Sequence, residues 1–184
     1  LRHDPDVVMV GEIRDLETAK VAFEFASTGR PVLSTVHTNS AAGAIQRLRD
    51  MGIEPYVIAA TLKAVVAQRL VRRLCDHCRE PHASTPEELA MFGLDAADAP
   101  QLWRPTGCMA CGNSGYSGRL GVYELITVDS SLRDLIRADG SEDEIERMAL
   151  SRHDNLFRNA ARYVQTGQTS VEEVLRVCRR EEER

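Results

Sequence analysis

Four cysteines stand in two pairs, Cys75 with Cys78 and Cys108 with Cys111, each spaced C-x-x-C, with 29 residues between the pairs. Two such knuckles present four thiolates, enough to close a tetrahedral shell around one Zn²⁺. A shell filled in this way keeps no open position for a substrate, so the spacing predicts a structural centre. A different chemistry is offered upstream. Val7-Val8-Met9-Val10 runs into Gly11-Glu12, and Pro31-Val32-Leu33-Ser34-Thr35 runs into Val36-His37-Thr38. In open parallel sheets, ligands bind outside the carboxyl ends of the strands. An acid such as Glu12 at that edge can hold Mg²⁺ or orient an attacking water. The hydroxyls of Ser34, Thr35 and Thr38 and the imidazole of His37 can donate to phosphate oxygens beside it.

The elements that must position these groups follow a rhythm of strand and helix. The continuous apolar run Val7 to Val10 suits a strand covered on both faces, as in a parallel sheet. Asp15 is placed to cap a helix over Leu16 to Ser27, with Gly29 beyond its end. Pro31 to Thr35 reads as a second strand. Asn39 or Ser40 caps another helix through Ala44, Ile45 and Leu48, stopped at Gly52. Pro55 opens a third helix with Ile58, Leu62, Val65 and Val66 as its apolar stripe. This alternation is that of an α/β layer fold. From Cys75 the texture changes. Thr85-Pro86-Glu87-Glu88 starts a short helix ended by Gly93, and the second knuckle sits in a loop rich in glycine. Leu120 to Ile126 reads as a strand. The rest is helical, with capping boxes at Ser141-x-x-Glu144 and Ser170-x-x-Glu173. Its stripes are Leu132, Leu135 and Ile136; Ile145, Met148 and Ala149; and Leu156, Phe157, Ala160, Ala161 and Val164. These are packing helices. Cys178, at helical spacing with Val171, Val174 and Leu175, is expected to be a buried core thiol.

The 184 residues, 43% hydrophobic and 28% charged, suit a soluble globular protein with one good core and a satellite module. A formal net charge of -5 argues against nucleic-acid binding, which favours a basic domain. Trp103 and Tyr116 are the aromatics near the knuckles, and both fit packing rather than base stacking. No apolar run reaches ~18 residues, so no membrane span is expected. The N-terminus lacks the pattern of a signal peptide. Because the chain starts without Met and almost on a strand, it reads as the C-terminal piece of something longer. Cysteines in metal-type pairs suit a reducing compartment.

Four segments resemble one family. Asp4-Pro5-Asp6-Val7-Val8-Met9-Val10-Gly11-Glu12-Ile13-Arg14-Asp15-Leu16-Glu17-Thr18-Ala19 looks like the Walker B region of secretion ATPases. Ser34-Thr35-Val36-His37-Thr38-Asn39-Ser40-Ala41 looks like their histidine box. Ala67 to Cys75 resembles the segment entering their tetracysteine motif, and Gly115 to Leu125 the stretch after its second knuckle. The family is the type II secretion and type IV pilus assembly ATPases, with the E-subunit ATPases of type II secretion as the nearest type. The resemblance covers essentially the whole chain. It implies a RecA-like P-loop NTPase domain in a homohexamer that hydrolyses ATP with Mg²⁺ at subunit interfaces. The ATPase would sit in the cytoplasm, peripheral to the inner membrane. It would work through a membrane platform protein and cytoplasmic recruitment proteins to assemble a pseudopilus or pilus. It assigns Glu12 as the Walker B acid and His37 as a phosphate sensor, with Arg14, Thr35 and Thr38 beside them at the nucleotide. An alternative for Arg14 is a salt bridge to Asp15 or Glu17.

The chain also departs from the family. It has no G-x-x-x-x-G-K-[ST] loop: its lysines are Lys20 and Lys63, and neither follows glycine. The aspartate box and the N-terminal domain that supplies arginines are missing as well. The chain alone is therefore expected to hydrolyse no ATP. The expected division is the C-terminal half of a RecA-like core over 1–74, a tetracysteine zinc lobe over 75–128, and a helical lobe over 129–184. Arg72, Arg73, Arg79 and Arg119 flank the knuckles and are expected to offset the charge of the thiolates and to be solvated at the surface, the alternative being a phosphate-contacting or subunit-bridging arginine among them. Retraction-type pilus ATPases typically lack the tetracysteine. Two alternatives stand beside type II secretion: a type IV pilus assembly ATPase, and a zinc-stabilised protein-interaction module without catalysis.

Overall fold

The computed structural model describes residues 5–38, 40–92 and 101–178. They form two compact units, one from the described parts of 1–66 and 125–153 and the other from those of 67–124 and 154–184. These units do not follow the expected boundaries at 74 and 128. The chain passes from the first unit to the second along one long strand and back along another. The first pair of C-terminal helices therefore belongs with the strand-helix layer, and the last pair with the cysteines.

In the first unit, β1 (Val8–Val10) and β2 (Val32–Ser34) pair in parallel, Val8 opposite Val32 and Val10 opposite Ser34. Between them lies α1 (Leu16–Ser27), started by Asp15, whose carboxylate accepts the Thr18 amide at 2.8 Å. α2 (Ala41–Asp50) is capped by Ser40; Asn39, the other expected cap, lies outside the described residues. α3 (Pro55–Thr61) opens on its proline. α5 (Ser130–Arg137) and α6 (Glu142–Leu150) complete the unit. Its core gathers Ala19, Phe23, Ile45, Leu48, Ile58, Leu132, Ile136 and Ile145. The expectation that β1 is covered on both faces fails. Met9 is 74% and Leu33 60% exposed, because the sheet of β1 and β2 has one covered side among the described residues.

The third helix is also shorter than its apolar stripe. It ends at Thr61, Leu62 turns extended, and β3 (Ala64–Leu74) begins. Val65 and Val66 fit a helical stripe by spacing, but they are β-branched. β3 pairs with β6 (Tyr116–Thr127), and that distant partner decides the outcome. Burial in β3 then alternates with period two from Ala64 to Leu70.

The second unit holds most of β3 and β6. It also contains β4 (Glu80–His82) antiparallel to β5 (Leu102–Arg104), α4 (Pro86–Phe92), α7 (Leu156–Gln165) and α8 (Val171–Cys178). Gly93, the expected stop of α4, lies outside the described residues. Val71, Leu102, Val122, Ala160, Val164, Val171 and Val174 form the core, and Phe92 stacks on Phe157 at 4.7 Å. Cys178 packs at the side of this core, half-buried, with burial pushing its thiol up to about 11.

Candidate functional site

Pairing of β1 and β2 continues past their last residues. The Ile13 amide donates to the Thr35 carbonyl at 2.9 Å, and the Thr35 hydroxyl donates to the Gly11 carbonyl at 2.8 Å. The two strand ends are thereby fixed side by side, and the residues after them meet. Glu12 Oε1 lies 3.0 Å from His37 Nε2, and Glu12 Oε2 lies 2.5 Å from Arg14 Nη2. Arg14 is committed to Glu12 rather than to Asp15 or Glu17, and Asp15 is occupied as a helix cap. The Arg14 guanidinium holds the Glu12 carboxyl below the usual carboxylate range, with a further contribution from His37. Glu12 is largely covered, whereas the His37 side chain is 86% exposed and open to a ligand.

The hydroxyls expected to serve phosphate are spent within the chain. That of Thr35 goes to Gly11, and that of Thr38 donates to the Ser40 carbonyl at 2.9 Å. Their oxygens organise the strand ends and the following turn. The site is thus an open edge that joins one carboxylate to a guanidinium and an imidazole. A concavity of about 400 Å³ in the second unit, lined by Tyr123, Arg162, Tyr163 and Gln168 among others, contains none of these residues.

The cysteines converge as their spacing predicts. All four sulfurs lie within 4.8 Å of one another, with separations of 4.0 Å for Cys75 to Cys108 and 3.8 Å for both Cys78 to Cys111 and Cys108 to Cys111. A tetrahedral centre with metal–sulfur bonds of about 2.3 Å would space its sulfurs by about 3.8 Å. The donor set therefore fits a metal ion. Each knuckle is a tight turn, with Arg79 N–H donating to Cys75 O at 3.0 Å and Asn113 N–H to Cys108 O at 2.9 Å. The Cys111 sulfur accepts the amides of Gly115 at 3.2 Å and Cys108 at 3.3 Å. Burial alone would raise its thiol, but these amides together with hydrogen bonds to the Cys108 and Cys78 sulfurs outweigh it and hold it at about 6. Two glycines admit the close loop. Gly107 has φ +101°, and a Cβ there would meet Asn113 O at 2.7 Å; Gly115 has φ +75° and lies against Pro105.

Three of the arginines that flank the cluster have partners elsewhere in the chain. Arg73 pairs with Asp76 at 2.8 Å. Arg79 donates to the Gly167 carbonyl at 2.5 Å and lies over the Trp103 ring. Arg72 lies over Tyr116 and binds Glu173. These contacts give Arg72, Arg73 and Arg79 partners other than sulfur. His82, which follows the first knuckle in the chain, is occupied by Glu88 at 3.1 Å.

Behind the cluster stands a group whose role is not visible in the sequence. Glu173, with no exposed side-chain surface, accepts the Arg72 amide at 2.9 Å, Arg72 Nη2 at 2.7 Å and Arg176 Nη2 at 2.6 Å. Ser170 accepts the Glu173 amide at 3.3 Å, so half of the expected capping box forms. The carboxylate that would complete it reaches instead across to β3. The only local signal was the serine-glutamate spacing, which pointed to a cap and not to this bridge.

Solved structures share the fold. The ATPase DotB of Yersinia pseudotuberculosis matches with a TM-score of 0.66 at 20% identity, over 95% of this chain and 37% of that one. DotB of Legionella pneumophila matches with 0.63 at 21%, over 94% and 38%. The α/β arrangement is thus one found in ATPases. By sequence, residues 1–176 match the family described as Type II/IV secretion system protein, and the chain belongs to that family. It is 51% identical to Type II secretion system protein E of Aeromonas hydrophila over 97% of this chain and 36% of that protein. Identity is 47% to Type II secretion system ATPase E of Vibrio cholerae, over 97% and 36%. It is also 47% to the type IV pilus assembly ATPase PilB of Thermus thermophilus, over 95% and 20%. The chain spans about a third of the length of the type II relatives it matches. Among the described residues, no helix is long and apolar enough to cross a membrane.

Proposed function

We propose that this chain is the C-terminal portion of a hexameric, RecA-like ATPase of the cytoplasm that powers type II protein secretion by driving pseudopilus assembly at an inner-membrane platform. The observation that carries the reading is the meeting of Glu12 and His37 at 3.0 Å on the carboxyl edge of a parallel strand pair. In this reading Glu12 is the acid that orients water or holds Mg²⁺, and the bound nucleotide supplies the phosphate to be transferred. His37 and Arg14 rest on Glu12 while the edge is empty and turn to phosphate oxygens when a nucleotide is present. Thr35 and Thr38 hold the backbone on which His37 is carried. Cys75, Cys78, Cys108 and Cys111 hold Zn²⁺, which stabilises the second unit and takes no part in the reaction.

The same residues serve a type IV pilus assembly ATPase, and the likeness to PilB favours that as the second reading. Either way, hydrolysis needs phosphate-cradling amides and a lysine that these 184 residues lack. The purified chain should therefore turn over no ATP. Turnover by the chain alone, abolished by Glu12→Gln, would refute this. The coding sequence upstream of Leu1 offers a second test. A G-x-x-x-x-G-K-[ST] roughly 60–70 residues before Glu12, between a strand and a helix, is expected, and its absence there would favour an interaction module.

A further inference from the structure

The turn that carries His37 is held by a residue far away in the chain. α2 starts directly after this turn, and Ser40 is its cap. Ser40 Oγ accepts the Gly43 amide at 2.9 Å and donates to Glu142 Oε1, at the start of α6, at 3.1 Å. The Thr38 hydroxyl donates to the carbonyl of the same Ser40. Glu142 thus touches the residue to which the histidine-bearing turn is tied.

Three features make this contact more than an incidental surface bond. The first turn of α2 carries no acidic residue. A helix N-terminus, with its unsatisfied amides, favours a negative charge, and here α6 supplies it. Gly43 makes the space: a Cβ at that position would lie 2.9 Å from Glu142 Oε1. The far end of α2 is tied to the same helix pair. Arg49, its side chain 8% exposed, donates to the Ile136 carbonyl at 3.0 Å and the Gly140 carbonyl at 2.6 Å, just past α5. With both ends fixed to α5 and α6, α2 cannot slide along its axis without breaking one clamp.

We propose that Glu142 is a positioning residue for the active edge: through Ser40 and Thr38 it sets the turn that holds His37 against Glu12. This rests on the reading of that edge as the ATP site. In the 184-residue chain, Glu142→Ala should speed amide exchange at Gly43 about tenfold and leave Ile145 unchanged. Glu142→Gln keeps an acceptor and should retain most of the protection. In the longer protein that carries the phosphate loop, Glu142→Ala should lower kcat about tenfold with KM for ATP unchanged, and Gln should restore most of it. Gly43→Ala leaves Glu142 in place but crowds its seat, and should lower kcat in the same way.

The two readings fail separately. If Glu12→Gln leaves turnover intact, the ATPase reading falls, while exchange at Gly43 still reports on the tether. If Glu12→Gln abolishes turnover and Glu142→Ala leaves kcat unchanged, the positioning role is overturned, whatever happens at Gly43. An unchanged Gly43 exchange rate in Glu142→Ala would overturn it as well.

Discussion

At the edge of β1 and β2, the side chains that can touch a ligand are lightly held; at the cysteine cluster they are held from every side. His37 is 86% and Arg14 75% exposed, and both lean on one carboxylate. Exposed contacts of this kind contribute little to stability. The cysteine sulfurs are fixed by two tight turns, by backbone amides and by one another. Behind them, the buried Glu173 fastens α8 to β3 three residues before Cys75. The region suited to chemistry is thus the loosely tied one, and the region with the most complete set of bonds has no open ligand position. If the edge is the nucleotide site proposed above, a phosphate would compete with Glu12 for Arg14 and His37, and contacts this exposed would oppose it little. Four thiolates closed around a metal ion would leave no such opening.

Breaking the cluster should have the largest effect. Cys111→Ser, or stripping the metal with a chelator, should lower the melting temperature of the second unit by more than about 10 °C, because metal binding in such sites contributes directly to folding. Unchanged melting with all zinc removed would show that the cysteines are not a structural pin.

Glu173 comes next. Burial pushes its carboxyl up, but the guanidiniums of Arg176 and Arg72 and the Arg72 amide outweigh burial and hold it at about 2. Its native pKa is depressed, so its stabilisation is complete above the ordinary value of 4.5 and is lost as pH falls through about 2. Glu173→Gln should cost roughly 3 kcal/mol in urea denaturation, at the low end for a buried pair because both arginine heads reach solvent. The variant should also flatten the acid limb of stability against pH. If that limb is unchanged in the variant, another group causes it.

Smaller effects are expected at the chemical edge. Asp15→Ala removes the cap of α1 and should cost about 1 kcal/mol in the first unit. Arg14→Ala should let the Glu12 carboxyl rise towards its ordinary value, as read by carboxyl NMR titration. A Glu12 that titrates as before would mean that Arg14 does not set its charge.

These contrasts also explain what could be read in the sequence. Caps are local, so Asp15, Ser141 and the proline that opens α3 were legible from their neighbours. The metal ligands come as two local pairs, and the spacing inside each pair is the geometry of a knuckle. Glu12 and His37 were legible because each follows closely on the end of a strand. What escaped was set by distant partners. Val65 and Val66 fit a helical stripe until β6 claims them. Glu173 fits a capping box until Arg72, 101 residues away, takes its carboxylate. Glu142 carries no local signal, because its partner Ser40 lies 102 residues upstream.

The central claim is that Glu12 does the chemistry and the cysteines do not. The most direct measurement is Mg²⁺-dependent ATP turnover by the longer protein containing this chain, with Glu12 intact and as Glu12→Gln, at equal zinc content and equal melting temperature. The account predicts a loss of at least about 100-fold in the variant. Turnover that survives Glu12→Gln would contradict it.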